Sequence, residues 1–276
     1  LTEGGRILPF PGLSGYGADW SADSGRIVYT SCLFDNSAVW EGFVATTAEG
    51  SPAVNLSAIR KDADIWIMDA DGGNKKQLTT GGDALLPLWQ PHGDRIAYLS
   101  DTSGKSEIWI MQSDGTGKTQ VTFSEGDVSG YSWSPDGTRI AYVVAAPPGT
   151  WPEFSLRVID SDGSGSEQLT TGNWDTSPVW LPDGSRIAFR SESRDQKLWV
   201  MESDGSGLAP LGPDNPKYMM QQWSPDGRAI VVSDGNDLYA IRLEDPAAPE
   251  SPGFGVAAAA GALLLTACLL RLRKEE

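Results

Sequence analysis

YSWSPDGTRIAYVV, from Tyr131 to Val144, places a Pro-Asp-Gly turn between two runs rich in aromatic and aliphatic residues. Pro-Asp-Gly is typical of a tight turn, so the stretch predicts a β-hairpin. The hairpin recurs as WQPHGDRIAY from Trp89, WLPDGSRIAF from Trp180, WSPDGRAIVV from Trp223 and, more loosely, WSADSGRIVY from Trp20. Recurrence at this spacing makes the hairpin one part of a repeating unit.

A second pattern alternates with the hairpin. Its copies are IWIMDADGGNKKQLT from Ile65, IWIMQSDGTGKTQVT from Ile108, LRVIDSDGSGSEQLT from Leu156, LWVMESDGSGLAPLG from Leu198, the related FVATTAEGSPAVNLS from Phe43 and the truncated LYAIRLED from Leu238. Each period therefore holds four strand-sized runs. Four strands in about 40–45 residues are typical of a β-propeller, so we predict an all-β fold of that architecture.

The number of blades differs with the pattern counted. The second pattern gives six blades, of which the second is defective because no Trp hairpin separates Phe43–Ser57 from Ile65–Thr79. The Trp hairpin gives five blades and an insertion at Ser31–Asp64. The six-blade plan is the preferred prediction. We also expect Leu1-Thr2 to complete the last blade, since the final unit stops after its third strand.

The two interleaved patterns, W-S-P-D-G-x-R-I-A-Y and I-W-x-M-x-x-D-G followed by L-T, resemble the TolB-type propeller repeat over Leu1 to Leu243. The resemblance implies a TolB-like propeller for residues 1–243. It implies little about function, because one fold carries many activities.

Charge and composition exclude some partners and sites. The net charge of −16 argues against a nucleic-acid partner, which requires clustered Lys and Arg. The two cysteines, Cys32 and Cys268, do not suggest a disulfide framework, because Cys268 falls in an apolar tail. His92 is the only histidine. It replaces a turn Asp, so we predict a structural or neutral role for it.

The connections between strands sort onto two faces, because strands in a blade alternate in direction. The first-to-second and third-to-fourth turns are short and uniform, whereas the other connections vary in length and composition. We call the two sides the uniform face and the variable face. Irregular loops on a rigid scaffold usually carry binding residues. The candidate ligand-binding residues are Trp151, Trp174, Asp175, Tyr218, Asp83 and Asp127.

Catalytic chemistry has little support in the sequence. A nucleophile activated by histidine would need that histidine on the variable face, and His92 is predicted on the other. Asp-Gly turns here lack the spaced carboxylates of a calcium loop, so we predict no metal and no cofactor. Paired carboxylates for acid–base work stay possible.

The last 33 residues change in composition. A Pro- and Ala-rich tether occupies residues 244–252, and Phe254 to Leu270 carries no charge. This uncharged 17-residue segment is close to the length of a transmembrane helix, and the basic residues that follow favour a cytoplasmic end. We predict a C-terminal transmembrane helix within residues 253–276.

The order Pro252-Gly253-Phe254, apolar run and basic end resembles the archaeal PGF-CTERM sorting signal. The resemblance implies processing by an archaeosortase and anchoring at the cell surface. A plain membrane anchor is the alternative, since the tether is short. The combined prediction is a non-enzymatic, surface-anchored propeller that binds protein, peptide or glycan through its variable face. The alternatives are a surface hydrolase or lyase, and a TolB-like component of an envelope complex.

Overall fold

The computed structural model describes residues 17–32, 44–46, 52–54, 63–146, 154–171, 174–194, 197–211, 219–223, 229–233, 238–242 and 269–271. Every regular element within these ranges is a β-strand, as predicted. In chain order the strands are β1 (Ala18–Trp20), β2 (Arg26–Cys32), β3 (Val44–Thr46), β4 (Pro52–Val54), β5 (Ala63–Asp69), β6 (Lys76–Gln77), β7 (Ala84–Trp89), β8 (Arg95–Ser100), β9 (Glu107–Gln112), β10 (Thr119–Gln120), β11 (Val128–Trp133), β12 (Arg139–Ala145), β13 (Phe154–Asp160), β14 (Glu167–Gln168), β15 (Asp175–Trp180), β16 (Arg186–Ser191), β17 (Lys197–Glu202), β18 (Ala209–Pro210), β19 (Met219–Trp223), β20 (Ala229–Ser233), β21 (Leu238–Arg242) and β22 (Leu269–Arg271).

These strands form five four-stranded antiparallel sheets and one two-stranded sheet within the described ranges. Blade 1 is β1-β2-β5-β6, blade 2 is β7 to β10, blade 3 is β11 to β14, blade 4 is β15 to β18 and blade 5 is β19 to β22. In each blade the Trp that ends the first strand lies opposite an Ile of the second strand, as Trp133 lies opposite Ile140. The hairpin read from the sequence is therefore the first half of each blade.

Hydrophobic cores lie between consecutive blades. One cluster joins blades 1 and 2 around Ile65, Trp89 and Ile96, and another joins blades 3 and 4 around Leu156 and Phe189. Two further clusters join blades 2 and 3 and blades 4 and 5. Because each blade is covered on both faces, the inner three strands carry apolar residues on both sides.

A polar joint accompanies the core between blades 1 and 2. The Arg26 guanidinium lies over the Trp89 ring, with its Cζ 4.9 Å from the ring centroid. It donates hydrogen bonds to Ser113 Oγ (3.1 Å) and Asp94 Oδ1 (2.9 Å). Arg26 begins the second strand of one blade, and its three partners all belong to the next blade, so the joint ties the blades together on the uniform face.

Parts of this joint recur farther along the chain. Arg95 of blade 2 donates to Ser161 Oγ (3.0 Å) of blade 3. Arg139 of blade 3 lies 4.7 Å from the centroid of Trp180 in blade 4 and donates to Ser203 Oγ at 3.4 Å. The repeated Arg of the hairpin and the repeated Ser before Asp-Gly therefore bond to each other across the joint between consecutive blades.

The pairing of β2 with β5 decides how the defective region is built. Arg26 lies opposite Asp69 and Thr30 opposite Ile65, so the Trp20 hairpin and the Ile65 copy form one blade. The segment between them contributes the two-stranded sheet of β3 and β4. This topology fits the count of five blades plus an insertion at Ser31–Asp64. The β3–β4 hairpin is what the described residues contain of a sixth, defective blade.

The last blade is completed differently from the prediction. Strand β22 pairs with β21, with Leu270 opposite Ala240. It takes the edge position that we assigned to Leu1-Thr2, and an edge accepts only one neighbour. Leu1-Thr2 lie outside the described residues, as do the tether (residues 244–252) and most of the tail (residues 253–276), whose boundaries stay predictions.

The predicted transmembrane segment is described only at its end. Leu269 and Leu270 lie in β22, where the backbone pairs with β21 instead of continuing a helix. Within the described ranges of the structure, there is no helix of the length and hydrophobicity that a bilayer crossing requires.

Candidate functional site

The short turns of each blade lie together, which establishes the uniform face. The backbone N–H of Ser113, after the third strand of blade 2, donates to the carbonyl of Asp94 in the first-to-second turn. Ser161 makes the same bond to Thr138 in blade 3. The opposite, variable face carries four of the six candidate residues within the described ranges. Trp151 and Tyr218 lie outside them, so their roles stay predictions.

Trp174 and Asp175 belong to a cluster at the joint of blades 3 and 4. The Trp174 ring meets the Phe154 ring edge to face, with centroids 5.5 Å apart, and its backbone N–H donates to Ser193 Oγ (3.2 Å). Asp175 is wholly buried and accepts a contact from Arg194 Nη1 at 3.3 Å. Burial of a carboxylate is costly without a partner, so Arg194 holds this loop closed over Asp175.

The Arg194 loop is further fixed by Trp199 on strand β17. The guanidinium of Arg194 lies 5.7 Å from the centroid of the Trp199 ring, and the Trp199 indole N–H donates to the Arg194 carbonyl (3.3 Å). Ser191, opposite Asp175 across the strands, is wholly buried with an unpartnered Oγ. The cluster therefore combines aromatic surface, one ion pair and one buried hydroxyl without a described partner.

Asp83 and Asp127 hold loops and are not brought together with that cluster by any described contact. Asp83 accepts hydrogen bonds from the hydroxyls of Ser100 and Thr102. Asp127 accepts the backbone N–H of Ser106 at 2.8 Å. Both carboxylates join a fourth-to-first connection to the neighbouring second-to-third loop, so each one fixes the rim of the variable face.

A repeated threonine, which the sequence analysis did not single out, anchors the same rim. Thr79, Thr122 and Thr170 each accept a backbone N–H near the start of the third strand of their blade, at 2.8 to 3.0 Å. In blade 2 the Thr122 hydroxyl also donates to the buried Glu107 carboxylate (2.6 Å). The signal was the Thr that ends the Ile65, Ile108 and Leu156 copies, which we interpreted as strand composition only.

Phe123 is the most exposed large apolar side chain in the described part of the chain, at 80%. The equivalent residues in blades 1 and 3 are Thr80 and Thr171. Its loop is held on both sides: Glu107 accepts the N–H of Ser124 (2.6 Å), and Lys105 Nζ donates to the carbonyls of Ser124 and Glu125. An exposed aromatic on a fixed loop has no packing role, and comparing the repeats would have revealed it.

The uniform face holds a shallow cleft where the first-to-second turns of blades 2, 3 and 4 meet. Its volume is about 400 Å³, and His92, Asp136, Arg139 and Asp183 line it. His92 is exposed and adopts a left-handed backbone with φ of 57°, a conformation that histidine tolerates better than most residues. Hydrogen bonds from the Ser134 hydroxyl and the Thr138 N–H hold the pKa of Asp136 below its ordinary value.

A half-buried acid lies on the first strand of blade 1. Asp19 Oδ2 accepts the backbone N–H of Trp89 (2.8 Å) and Oδ1 accepts that of Trp20 (2.9 Å). Desolvation raises the pKa of Asp19, and these two hydrogen bonds oppose the rise. Burial also raises the pKa of Tyr131, whose hydroxyl donates to the Leu86 carbonyl.

No group of three or more His, Cys, Asp or Glu side chains within the described ranges is arranged to hold a metal ion. Asp83 and Asp127 bind hydroxyls and a loop N–H, and Asp175 pairs with Arg194. Chemically, the arrangement presents a rigid rim with aromatic side chains and one partly open Arg–Asp pair.

The chain is similar to proteins of known kind in sequence and in shape. The protein-family model for the TolB beta propeller domain matches residues 53–249, which is more than half of the chain. A Tol-Pal system protein TolB of Anaeromyxobacter dehalogenans is 36% identical over 140 residues, which cover 49% of this chain and 31% of that protein. The chain thus spans about a third of the curated relative.

Two solved structures share the fold. An oligogalacturonate lyase in complex with manganese has a TM-score of 0.63 at 18% identity, covering 84% of this chain and 66% of the other. TolB from Acinetobacter baumannii has a TM-score of 0.57 at 19% identity, covering 81% of this chain and 51% of the other. The same fold therefore serves an enzyme and TolB.

Proposed function

The chain belongs to the TolB beta propeller domain family, and from this premise we propose that it is a non-enzymatic binding module. Its variable face takes an extended segment of a partner protein. The observation that carries the proposal is Phe123, which is 80% exposed on a loop fixed by Glu107 and Lys105. Exposed aromatics on rigid supports are the residue type that dominates binding energy at protein interfaces.

Phe123 differs from the residues at the same position in blades 1 and 3, and this difference supports a role for it in binding. At the equivalent loop position Thr80 and Thr171 suffice for the fold, so the aromatic ring is not needed for stability. The carboxylates around it, Glu107 and Asp127, are already engaged with loop groups. A rim ordered before binding loses little conformational entropy when the partner docks.

The Trp174–Arg194 cluster is the second contact region in this proposal. It lies in the next fourth-to-first connection along the ring from Phe123. Trp174 offers aromatic surface, and Arg194 contacts Asp175 through Nη1 among its described contacts, so its other nitrogens are donors for a partner's carbonyl or carboxylate.

Selection from a random peptide library on the immobilised full-length protein tests the proposal. We expect enriched peptides with an apolar anchor whose affinity falls about tenfold or more in F123A, since a hot-spot residue is worth about 2 kcal/mol. The matched control is T80A, at the equivalent position of blade 1, which should retain binding. Peptides that bind F123A and W174A as well as the unaltered protein would refute the proposal.

The alternative is a surface lyase or hydrolase, since the fold is shared with oligogalacturonate lyase. Oligogalacturonate and a peptide mixture, incubated with the full chain in the presence and absence of manganese, serve as probe substrates. Our proposal expects no product from either. Catalytic release of an unsaturated sugar or of shorter peptides would overturn the non-enzymatic assignment. A third possibility is a TolB-like component of an envelope complex.

We also propose that the tail anchors the propeller at the cell surface. The support is the sequence Pro252-Gly253-Phe254, the uncharged run and the basic end, and an archaeosortase is the processing partner in this proposal. Mass spectrometry of the mature C-terminus tests it. A C-terminus near Pro252 with an attached lipid is expected; this processing removes β22 and leaves the outer edge of β21 free for another strand. An intact Glu276 would contradict processing.

The tether follows β21, a third strand that runs toward the uniform face. Anchoring through the tail therefore leaves the variable face pointing outward. In a C32S/C268S background, a cysteine at position 193 on the variable face should react with a membrane-impermeant reagent on intact cells faster than one at position 208 on the uniform face. Equal or reversed labelling would contradict this orientation.

A further inference from the structure

Blade 2 departs from the other blades at two loop positions. Phe123 follows the threonine that ends the second pattern, where blades 1 and 3 carry Thr80 and Thr171. Three residues before the same pattern begins, blade 2 carries Lys105. Blades 1, 3 and 4 carry an acid at that position, namely Asp62, Glu153 and Asp195. One blade therefore has gained both an aromatic ring and a positive charge.

The structure brings these two departures together. Lys105 Nζ donates to the carbonyls of Ser124 and Glu125, at 3.0 and 2.9 Å, and these two residues directly follow Phe123. Glu107 accepts the N–H of Ser124 at 2.6 Å, so the backbone beside Phe123 is held through both its N–H and its carbonyl groups. The ring, which is 80% exposed, and the ammonium group thus share one fixed loop.

The charge of Lys105 has no carboxylate partner among the described residues. Both of its acceptors are neutral carbonyls, and the ion pairs in the described ranges join other groups. An ammonium group has three N–H donors, so one donor remains beyond the two described hydrogen bonds. Lys105 is exposed, and the whole chain has a net charge of −16. It is therefore a local positive site on an acidic protein.

We propose that the partner segment carries a carboxylate next to its apolar anchor, an inference that rests on the binding function proposed above. The apolar side chain packs on the Phe123 ring, and the carboxylate of an adjacent Asp or Glu accepts the remaining donor of Lys105. Charge-assisted hydrogen bonds are both stronger and more selective than neutral ones. The partner that fits this surface is thus an acidic peptide with an aromatic or aliphatic residue beside the acid.

Backbone amide resonances of the ¹⁵N-labelled full-length protein provide the test. The probes are Ac-Gly-Ser-Phe-Glu-Ser-Gly-amide and its two versions with Gln or Lys in place of Glu. We expect the amides of Ser124 and Gly126 to shift saturably, while those of Thr80 and Gly82 in the equivalent loop of blade 1 stay in place. The Kd of the Glu probe should be about two- to fivefold lower than that of the Gln probe, since exposed ion pairs are weak.

The Lys probe separates the local charge from the charge of the whole protein. A net charge of −16 attracts cations in general, so without Lys105 the Lys probe would bind most tightly. The proposal expects the opposite order, with the Glu probe first, the Gln probe second and the Lys probe last.

A charge exchange at position 105 separates direct contact from support of the loop. K105E introduces an acid, as blades 1, 3 and 4 carry at this position, and should make the Lys probe bind more tightly than the Glu probe. K105R should keep the order of the unaltered protein. So should K118E, the matched control, because Lys118 is exposed in the third-to-fourth turn and binds the Gly115 carbonyl.

Three results would overturn the carboxylate preference. They are equal Kd values for the three probes, an unchanged order in K105E, and a K105E variant that weakens all three probes alike, which would leave Lys105 as a support of the loop. F123A distinguishes this failure from failure of the binding function. Probes that lose affinity in F123A without discriminating Glu from Gln would refute the carboxylate preference alone, whereas probes that bind F123A as well as the unaltered protein would refute both.

Discussion

Replacing Arg139 with alanine tests whether the repeated Arg–Trp–Ser joint holds consecutive blades together. Arg139 lies 4.7 Å from the Trp180 centroid and donates to Ser203 Oγ at 3.4 Å. A cation–π contact at a half-buried site is worth about 0.5–2 kcal/mol. The hydrogen bond is long and adds about 0.5 kcal/mol at most. We therefore expect R139A to lower the free energy of unfolding by about 1–2 kcal/mol.

The expected shift in the unfolding midpoint follows from the size of the chain. For a domain of 150–250 residues, 1 kcal/mol corresponds to about 2–4 °C, so R139A should lower Tm by about 2–8 °C. Differential scanning calorimetry and urea unfolding measure both quantities. S203A isolates the hydrogen bond, and R139K keeps the charge but loses the planar stack, so its loss should lie between those of S203A and R139A.

K118A is the matched control for charge, because Lys118 is exposed and binds only the nearby Gly115 carbonyl among its described contacts. If R139A were no less stable than K118A, the arginine would not stabilise the joint. A loss confined to R139A but absent from S203A would assign the stabilisation to the stack over Trp180.

Three other outcomes follow from the described contacts. T122V keeps the shape of the side chain but leaves the Ile108 N–H and Oε2 of Glu107 without their hydroxyl partner, so the free energy of unfolding should fall by about 1–3 kcal/mol, whereas exposed T119V should be nearly neutral. The Asp136 pKa is lowered by bonds from Ser134 and Thr138, so its contribution to stability is complete above the unfolded pKa and is lost as pH falls through the folded one. The Tm difference between the unaltered protein and D136N should therefore shrink in a titration below about pH 4, and a difference that is constant with pH would contradict this assignment. F123A should leave Tm unchanged, because the ring is exposed; a clear loss of stability would assign Phe123 to folding.

The blades were predictable because two local patterns repeat in phase. Trp133 and Ile140 lie opposite each other in one hairpin, and the same pair recurs in every blade, so the sequence carries the pairing without long-range information. The alternation of faces follows from strand direction alone. The TolB-type resemblance rests on these same residues, and the family is confirmed.

The blade count was harder, because it depends on which strand β2 chooses as its neighbour. Both the Phe43 and the Ile65 copies match the third-strand template, and only the pairing of Thr30 with Ile65 distinguishes them. The fourth strand of blade 5 was misassigned because it, too, depends on which segment pairs with a given strand, here β21. A short apolar run such as Leu269–Arg271 fits an edge as well as Leu1-Thr2 does, and sequence does not rank the two.

The site was predicted less completely than the fold. Trp174 and Asp175 form part of one cluster, but Arg194 was not foreseen, because an ion pair depends on how a loop folds back. Phe123 was missed because it is an ordinary residue in isolation. It becomes informative only beside Thr80 and Thr171, once their shared position is known to be exposed.

Site-specific photo-crosslinking in intact envelopes tests most directly whether the variable face is the binding face. A photoreactive phenylalanine analogue is placed at position 123 on the variable face and, in a second variant, at position 208 on the uniform face. We expect position 123 to give a discrete adduct with one partner protein and position 208 to give no such adduct. An adduct of that kind from position 208 alone would contradict the account.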